Sequence, residues 1–390
     1  MSWPVDELKL ERVRALMEDR GLDALVCRAP DNVLYLTSYW CMKGYDYVVF
    51  PRVGEPTLIV IEPQEADARR TGWVADVRTF RGYDPDDPRP PVARAVDRVR
   101  DVLRERDLTG RIGIERSTAS QAADRMVGEP TIPSADWFDA LTDIAREVVD
   151  GQPLLTEARA IKTAQEIERM RIANELAALA MEHVAERIRP GMRESEVAAL
   201  WEGHVHEVGV GYQGRVEMAR GFSLVWSGPG IATFTATRDR PIVADEPTLL
   251  EIWVCADGYW SDLTKNLCPG ALAPRYVELL DELLAVYRAA IGHLRPGADM
   301  AELDRLIRSA IADAGYPGQP SHPVAHGVGA RAHEPPWPHQ AGSGTIEAGM
   351  VLAIEPGVYW PGGGGLRIED NFLVTAAGAE QLCRYPDDFR

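Results

Sequence analysis

A chain of 390 residues with 45% apolar and 26% charged content is long enough for two domains with separate cores. Its formal charge of −18 argues against nucleic acid or an anionic membrane as partner, and no apolar run approaches the roughly 18 residues that span a bilayer. A charged start without a signal core, and scattered cysteines (Cys27, Cys41, Cys255, Cys268 and Cys383) with no CxxC pair, predict a cytoplasmic protein with reduced core thiols.

Residues 5–20 predict an amphipathic helix with Leu8, Leu10, Val13, Leu16 and Met17 on one side. "DALVC" (23–27) predicts a buried strand. "YDYVVF" and "TLIVI" predict strands joined by the turn "PRVGEP". "PVARAVDRVRDVLRER" (91–106) is helical and "RIGIE" a further strand. The alternation predicts a mixed α/β domain over residues 1–150, and "VVDGQPLL" (148–155) reads as a linker. A second domain over 156–390 begins with a capping box, Thr163 and Glu166, ahead of a long helix. "IRPGMRESEVAALWEGHVHEVG" (188–209) and "LRPGADMAELDRLIRSAIADAG" (294–315) share Arg-Pro-Gly, a Glu five residues after that Gly and a Gly eighteen after it. The match suggests a duplicated, pseudo-two-fold α+β domain.

The chemistry lies in two acidic hairpins and the histidines between them. In "LEIWVCADGYWSDLTKN" (250–266), a turn at Ala256-Asp257 puts Glu251 opposite Asp262, Trp253 opposite Trp260 and Val254 opposite Tyr259. Like charges about 5 Å apart repel. Such a pair is solvated, shares a proton or holds a cation. In "LAIEPGVYWPGGGGLRIEDNFLV", symmetric pairing about Gly362 sets Glu355 opposite Glu369, with Pro356 disturbing the ladder. "SHPVAHGVGARAHEPPW" carries His322, His326 and His333. Four carboxylates and an imidazole suit two divalent ions such as Mn, Co, Fe or Zn, with a bridging hydroxide as nucleophile.

"GYWSDLTKN", "HGVGARAHEPP", "IEPGVY" and "LRIEDNF", in this order, resemble the metal motifs of the creatinase / Xaa-Pro aminopeptidase / prolidase group, family M24. "GLDALVCRAPDNVLYLTSY" resembles the group's N-terminal domain and "ARAIKTAQEIERMRIANELAALAM" its first catalytic helix. The resemblance implies an α+β pita-bread catalytic domain preceded by a smaller α/β N-terminal domain. It implies metal ligation by Asp262, His326, Glu355 and Glu369, with Glu251 where the group has a ligating Asp. Glu355 matches the general base. His333 matches a histidine at the scissile group, His322 another in the pocket, and Arg367 an arginine that orients the carboxylates. The sequence departs from the pattern at three places. Glu251 and Trp253 replace Asp and Gly, Gly230 replaces an Asn with no His following near Phe234 or Thr235, and Thr264-Lys265 replaces Thr-Arg.

The expected activity is metal-dependent hydrolysis of a C–N bond, amide or Xaa-Pro-like, in a small molecule or short peptide, by a homodimer. Two alternatives stand beside it: a creatinase- or lyase-like enzyme with one metal or none, and a non-catalytic binding module. Tyr259, Tyr359, Trp337 and Trp360 either line a pocket or pack a core.

Overall fold

The first helix of the computed structural model, α1 (Glu7–Asp19), starts at Asp6, whose carboxylate accepts from the Lys9 N–H at 3.3 Å. It buries Leu10, Val13 and Met17, while Leu8 is exposed. The structure describes residues 3–41, 45–116, 135–233, 235–360 and 362–390. They form two compact units, Met1–Arg159 and Ala160–Arg390.

The first unit continues with β1 (Ala24–Cys27), α2 (Pro30–Thr37), β2 (Tyr47–Pro51), β3 (Thr57–Ile61), α3 (Glu65–Thr71) and β4 (Asp76–Phe80). It ends with α4 (Pro91–Glu105), β5 (Arg111–Ile114), α5 (Ala135–Thr142), β6 (Glu147–Asp150) and α6 (Gln152–Ala160). Its six-stranded sheet has the order β4-β3-β2-β1-β5-β6. β2 runs antiparallel to β1 and β3; the other pairs are parallel. Successive residues of β1 face opposite cores, Leu25 and Cys27 with α1, α2 and α6, Ala24 and Val26 with α4. Residues 148–155 are not a linker. They hold the end of β6 and the start of α6, whose Leu154, Leu155 and Ala158 are buried. The Gly and Pro that suggested a break have other uses. A Cβ on Gly151 would lie 3.0 Å from Leu25, and Pro153 sits in the first turn of α6, where no N–H is needed.

Asp46 is a buried carboxyl in this unit. It accepts from Ile61 N at 3.1 Å and from the Tyr39 hydroxyl at 3.3 Å, and burial pushes it up to about 7. The native state therefore keeps a proton that the unfolded chain loses near pH 4, so this group's contribution falls as pH rises from about 4 to 7 and is level above. Asp46→Asn removes the charge, keeps Oδ1 as acceptor for Ile61 N, and lets Nδ2 donate to the Tyr39 hydroxyl, which can itself donate to Gln64. Chemical denaturation across pH is expected to show a flatter profile and a gain of up to ~4 kcal/mol above pH 7, about three pKa units at ~1.4 kcal/mol each. An unchanged slope would show that Asp46 is ionised throughout.

The second unit comprises α7 (Ala164–Arg187), α8 (Glu194–Gly209), β7 (Ala219–Ser227), β8 (Thr248–Ala256), β9 (Tyr259–Leu267), α9 (Pro274–His293) and α10 (Met300–Asp313). Then follow β10 (Ala325–Gly327), β11 (Val351–Ile354), β12 (Gly357–Trp360), β13 (Gly364–Arg367), β14 (Asp370–Thr375) and β15 (Gly378–Gln381). The Thr163–Glu166 capping box is formed, and Glu166 also accepts from the Tyr259 hydroxyl at 2.8 Å, tying the start of α7 to β9. β7-β8-β9 form one antiparallel sheet and β10-β11-β14-β15 another. The two meet where Thr264 and Glu369 exchange backbone bonds at 3.3 Å. α7 and α8 lie on the first sheet; α9 packs on β11, β13 and β15 with α10 beside it.

The duplication is visible bond by bond. Gly191 and Gly297 share φ near +90°, and their N–H groups donate to Ile242 and Ile346 at 2.8 and 2.9 Å. Ile242 and Ile346 in turn donate to Met192 and Ala298. α8 and α10 follow these turns, as the shared sequence pattern requires.

Candidate metal centre

The first acidic hairpin turns at Asp257-Gly258, both at positive φ (46° and 86°), the conformation of a two-residue hairpin loop. The turn lies one residue later than expected. Every cross-strand partner therefore moves by two: Glu251 faces Thr264 and Asp262 faces Trp253. A move of two keeps each side chain on its face, so Glu251 and Asp262 remain diagonal neighbours on one side of the sheet. The second hairpin has the expected register. β11 pairs with β14 and β12 with β13 in one continuous frame, with Glu355 and Glu369 facing each other in the gap. Pro356 breaks the ladder there and accepts from Ile368 N at 3.2 Å.

Four expected ligands converge. His326 Nε2 lies 3.6 Å from Asp262 Oδ2, 3.6 Å from Glu355 Oε1 and 3.8 Å from Glu369 Oε1. These separations exceed hydrogen-bond lengths. They are those of atoms sharing one ion, where ligands about 2 Å from it stand roughly 3–4 Å apart. His333 joins from the rim, its Nε2 3.3 Å from Asp262 Oδ2, with 38% of its side chain exposed against 1% for His326. His322 Nδ1 lies 3.2 Å from Glu355 Oε2, and its Nε2 meets the Tyr359 hydroxyl at 3.1 Å. Glu251 stands apart from the converging atoms: its Oε2 lies 2.7 Å from Arg367 Nη2. Among the described residues, the groups able to hold a metal are Asp262–His326–His333 and His326–Glu355–Glu369, without Glu251.

Electrostatics favour a bound cation here. Burial, then Glu369 and Glu355, push Asp262 well above the usual carboxylate range. Burial and Glu355 push Glu369 up to about 8. For Glu355, burial acts upward, but His322 beside it, then His326 and Arg367, bring it down to about 2. Burial, then His333, lower His326 to about 4, which leaves the neutral ring that ligates metal. Its Nδ1 contacts the Gly327 carbonyl at 3.0 Å, which leaves Nε2 for the pocket. His326 Nε2 and Asp262 Oδ2 are buried and make no hydrogen bond. Orphaned donor atoms of this chemistry fit a divalent ion.

Supporting residues were not legible in the sequence. The Thr264 hydroxyl donates to Glu369 Oε2 and accepts from Arg367 Nε, both at 2.7 Å. Asn371 grips the Asp262 backbone, accepting from its N–H at 3.0 Å and donating to its carbonyl at 2.7 Å. Each lies two residues from a ligand, so strand alternation puts them on the ligand face. Trp337 packs on His326 at 5.5 Å and Trp253 on His333 at 6.3 Å. Tyr259 and Trp360 belong to the packing between helices and strands. Gly230 ends a short turn after β7; Phe234, where the histidine is missing, lies outside the described residues.

Residues 168–376 match metallopeptidase family M24, and residues 9–161 match the creatinase/prolidase N-terminal domain. The chain is 27% identical over 387 residues to the putative dipeptidase YkvY of Bacillus subtilis, covering 97% of this chain and 98% of that one. It is similar to the prolidase structure from Pyrococcus horikoshii (25% identity, TM-score 0.80, covering 98% of this chain and 100% of that one). The prolidase from Pyrococcus furiosus is similar too (26% identity, TM-score 0.75, covering 96% and 99%).

Proposed function

The chain belongs to metallopeptidase family M24, and on that premise we propose that it hydrolyses the C–N bond of short Xaa-Pro-like peptides, with a divalent ion held by Asp262, His326, Glu355 and Glu369. The carrying observation is the buried His326 Nε2, without a hydrogen bond, facing three carboxylates beside the half-buried His333. When bound, the ion supplies Lewis-acid polarisation and a more acidic water. Glu355, kept ionised beside His322, takes a proton from water as the water oxygen bonds to the carbonyl carbon. His333 donates to the carbonyl oxygen as charge develops there. The C–N bond then breaks, and the proton taken by Glu355 passes to the leaving nitrogen. Arg367 and Thr264 hold Glu369 in place, and Tyr359 holds His322.

A small substrate is expected from the chain's departures from the M24 pattern. The Trp253 ring, where the pattern has Gly, stands 6.3 Å from that of His333, and Gly230 stands where the pattern has Asn. A length series is expected to give kcat/KM at least about tenfold higher for Xaa-Pro dipeptides than for the matching tripeptides, the size of a modest pocket discrimination. Equal or better cleavage of tripeptides would overturn the size assignment. Manganese, a cytoplasmic setting and a homodimer complete the proposal. Support for them comes from the oxygen-rich donor set, the free cysteines and the family's habit respectively. Among the described residues no helix is long and apolar enough to cross a membrane.

A further inference from the structure

We infer that this chain holds a single divalent ion, because Glu251 is ion-paired with Arg367, whose guanidinium supplies the positive charge that a second ion would bring. The inference rests on the metal-dependent reading above. Arg367 is 2% exposed and is held from several sides. Its Nε bonds Thr264 Oγ1 at 2.7 Å and lies 3.7 Å from Glu369 Oε2; its Nη1 meets the Tyr359 hydroxyl at 3.3 Å; its Nη2 lies 2.7 Å from Glu251 Oε2. A guanidinium does not lose its proton in a protein, so Glu251 has a permanent counter-charge without a metal.

The remaining donors describe one centre. Both groups able to hold an ion contain His326, whose Nε2 faces Asp262, Glu355 and Glu369 at 3.6, 3.6 and 3.8 Å; the other close approach is His333 Nε2 to Asp262 Oδ2 at 3.3 Å, in the same cluster. Its other nitrogen is turned to the Gly327 carbonyl. One lone pair serves one ion, so the two groups are two descriptions of a single coordination shell. The longer Glu251 side chain, on β8 opposite Thr264, reaches past that shell to the arginine.

The test is metal stoichiometry by mass spectrometry and calorimetric titration with Mn²⁺ and with Zn²⁺, on the full chain. The parent is expected to bind one ion per chain. Glu251→Gln is expected to keep that ion, with affinity lower by about tenfold, the cost of disturbing a group behind a ligand. Asp262→Asn is expected to lose it. Two ions in the parent, or loss of the ion in Glu251→Gln, would overturn the inference. The parent count alone decides the matter if the variant does not fold. A parent that cleaves peptides yet binds no ion overturns the metal-dependent reading as well.

Discussion

Replacing His333 with Ala is expected to lower kcat by about 10²-fold or more, the range for losing an acid–base or oxyanion group, with the bound metal unchanged. Position is the reason. His326, Glu355 and Glu369 are buried, whereas His333 keeps 38% of its side chain in solvent and lies at the open side of the cluster. Its ring is 4.6 Å from that of His326, close enough to reach a group bound above the ion. The rival role is ligation, since its nitrogen also falls within 4.8 Å of donor atoms of Asp262 and His326. Metal content separates the two roles. An acid–base or oxyanion donor can be removed without losing the ion, and His333→Gln, which still donates an N–H, should restore part of kcat. A ligand cannot be removed so cheaply. A His333→Ala protein that comes off the column metal-free would reassign the residue.

The parts of this site legible in the sequence are those governed by local rules. The Thr163–Glu166 capping box needs only a four-residue pattern, and it forms as written. Glu355 and Glu369 face each other because the Gly-rich loop around Gly362 centres both flanking ladders, and nothing between them shifts the frame. The first hairpin shows where such reasoning slips. Ala256-Asp257 and Asp257-Gly258 are both plausible turns, and only the second offers two residues at ease with positive φ. A one-residue displacement of the turn leaves the ligand face intact but gives Glu251 a different neighbour. Long-range side-chain bonds were out of reach altogether. The Glu251–Arg367, Thr264–Glu369 and Asp262–Asn371 contacts join segments over a hundred residues apart, and no periodicity announces them. The break near residue 150 was misplaced for a related reason. Gly151 and Pro153 read locally as a linker, but tertiary packing uses one for a close approach and the other to begin a helix. The compact units divide at Arg159 and Ala160 instead.

The largest expected stability effect lies directly behind the metal centre. Lys265 Nζ, with a fully buried side chain, sits 2.7 Å from Asp370 Oδ2 and 2.6 Å from Asp387 Oδ1. Asp370 also accepts from the Tyr287 hydroxyl at 2.6 Å and from Gln381 Nε2 at 2.7 Å. Burial pulls Lys265 down, but Asp370, and then Cys383 and Asp387, hold it well above its ordinary value, so it stays charged. Lys265→Met fills the same space but leaves two acids without their cation. It is expected to cost about 3–5 kcal/mol in urea denaturation, the usual penalty for orphaning a buried charge. Adding Asp370→Asn should recover part of that loss, because the penalty belongs to the unpaired charge and not to the missing methylenes. Since Lys265 follows Thr264 and Asp370 follows Glu369, loosening this pair also frees the two strands that present a ligand. Metal affinity in Lys265→Met should therefore fall by about tenfold. A loss under about 1 kcal/mol, the scale of a solvated surface pair, would mean that water reaches the three charges after all.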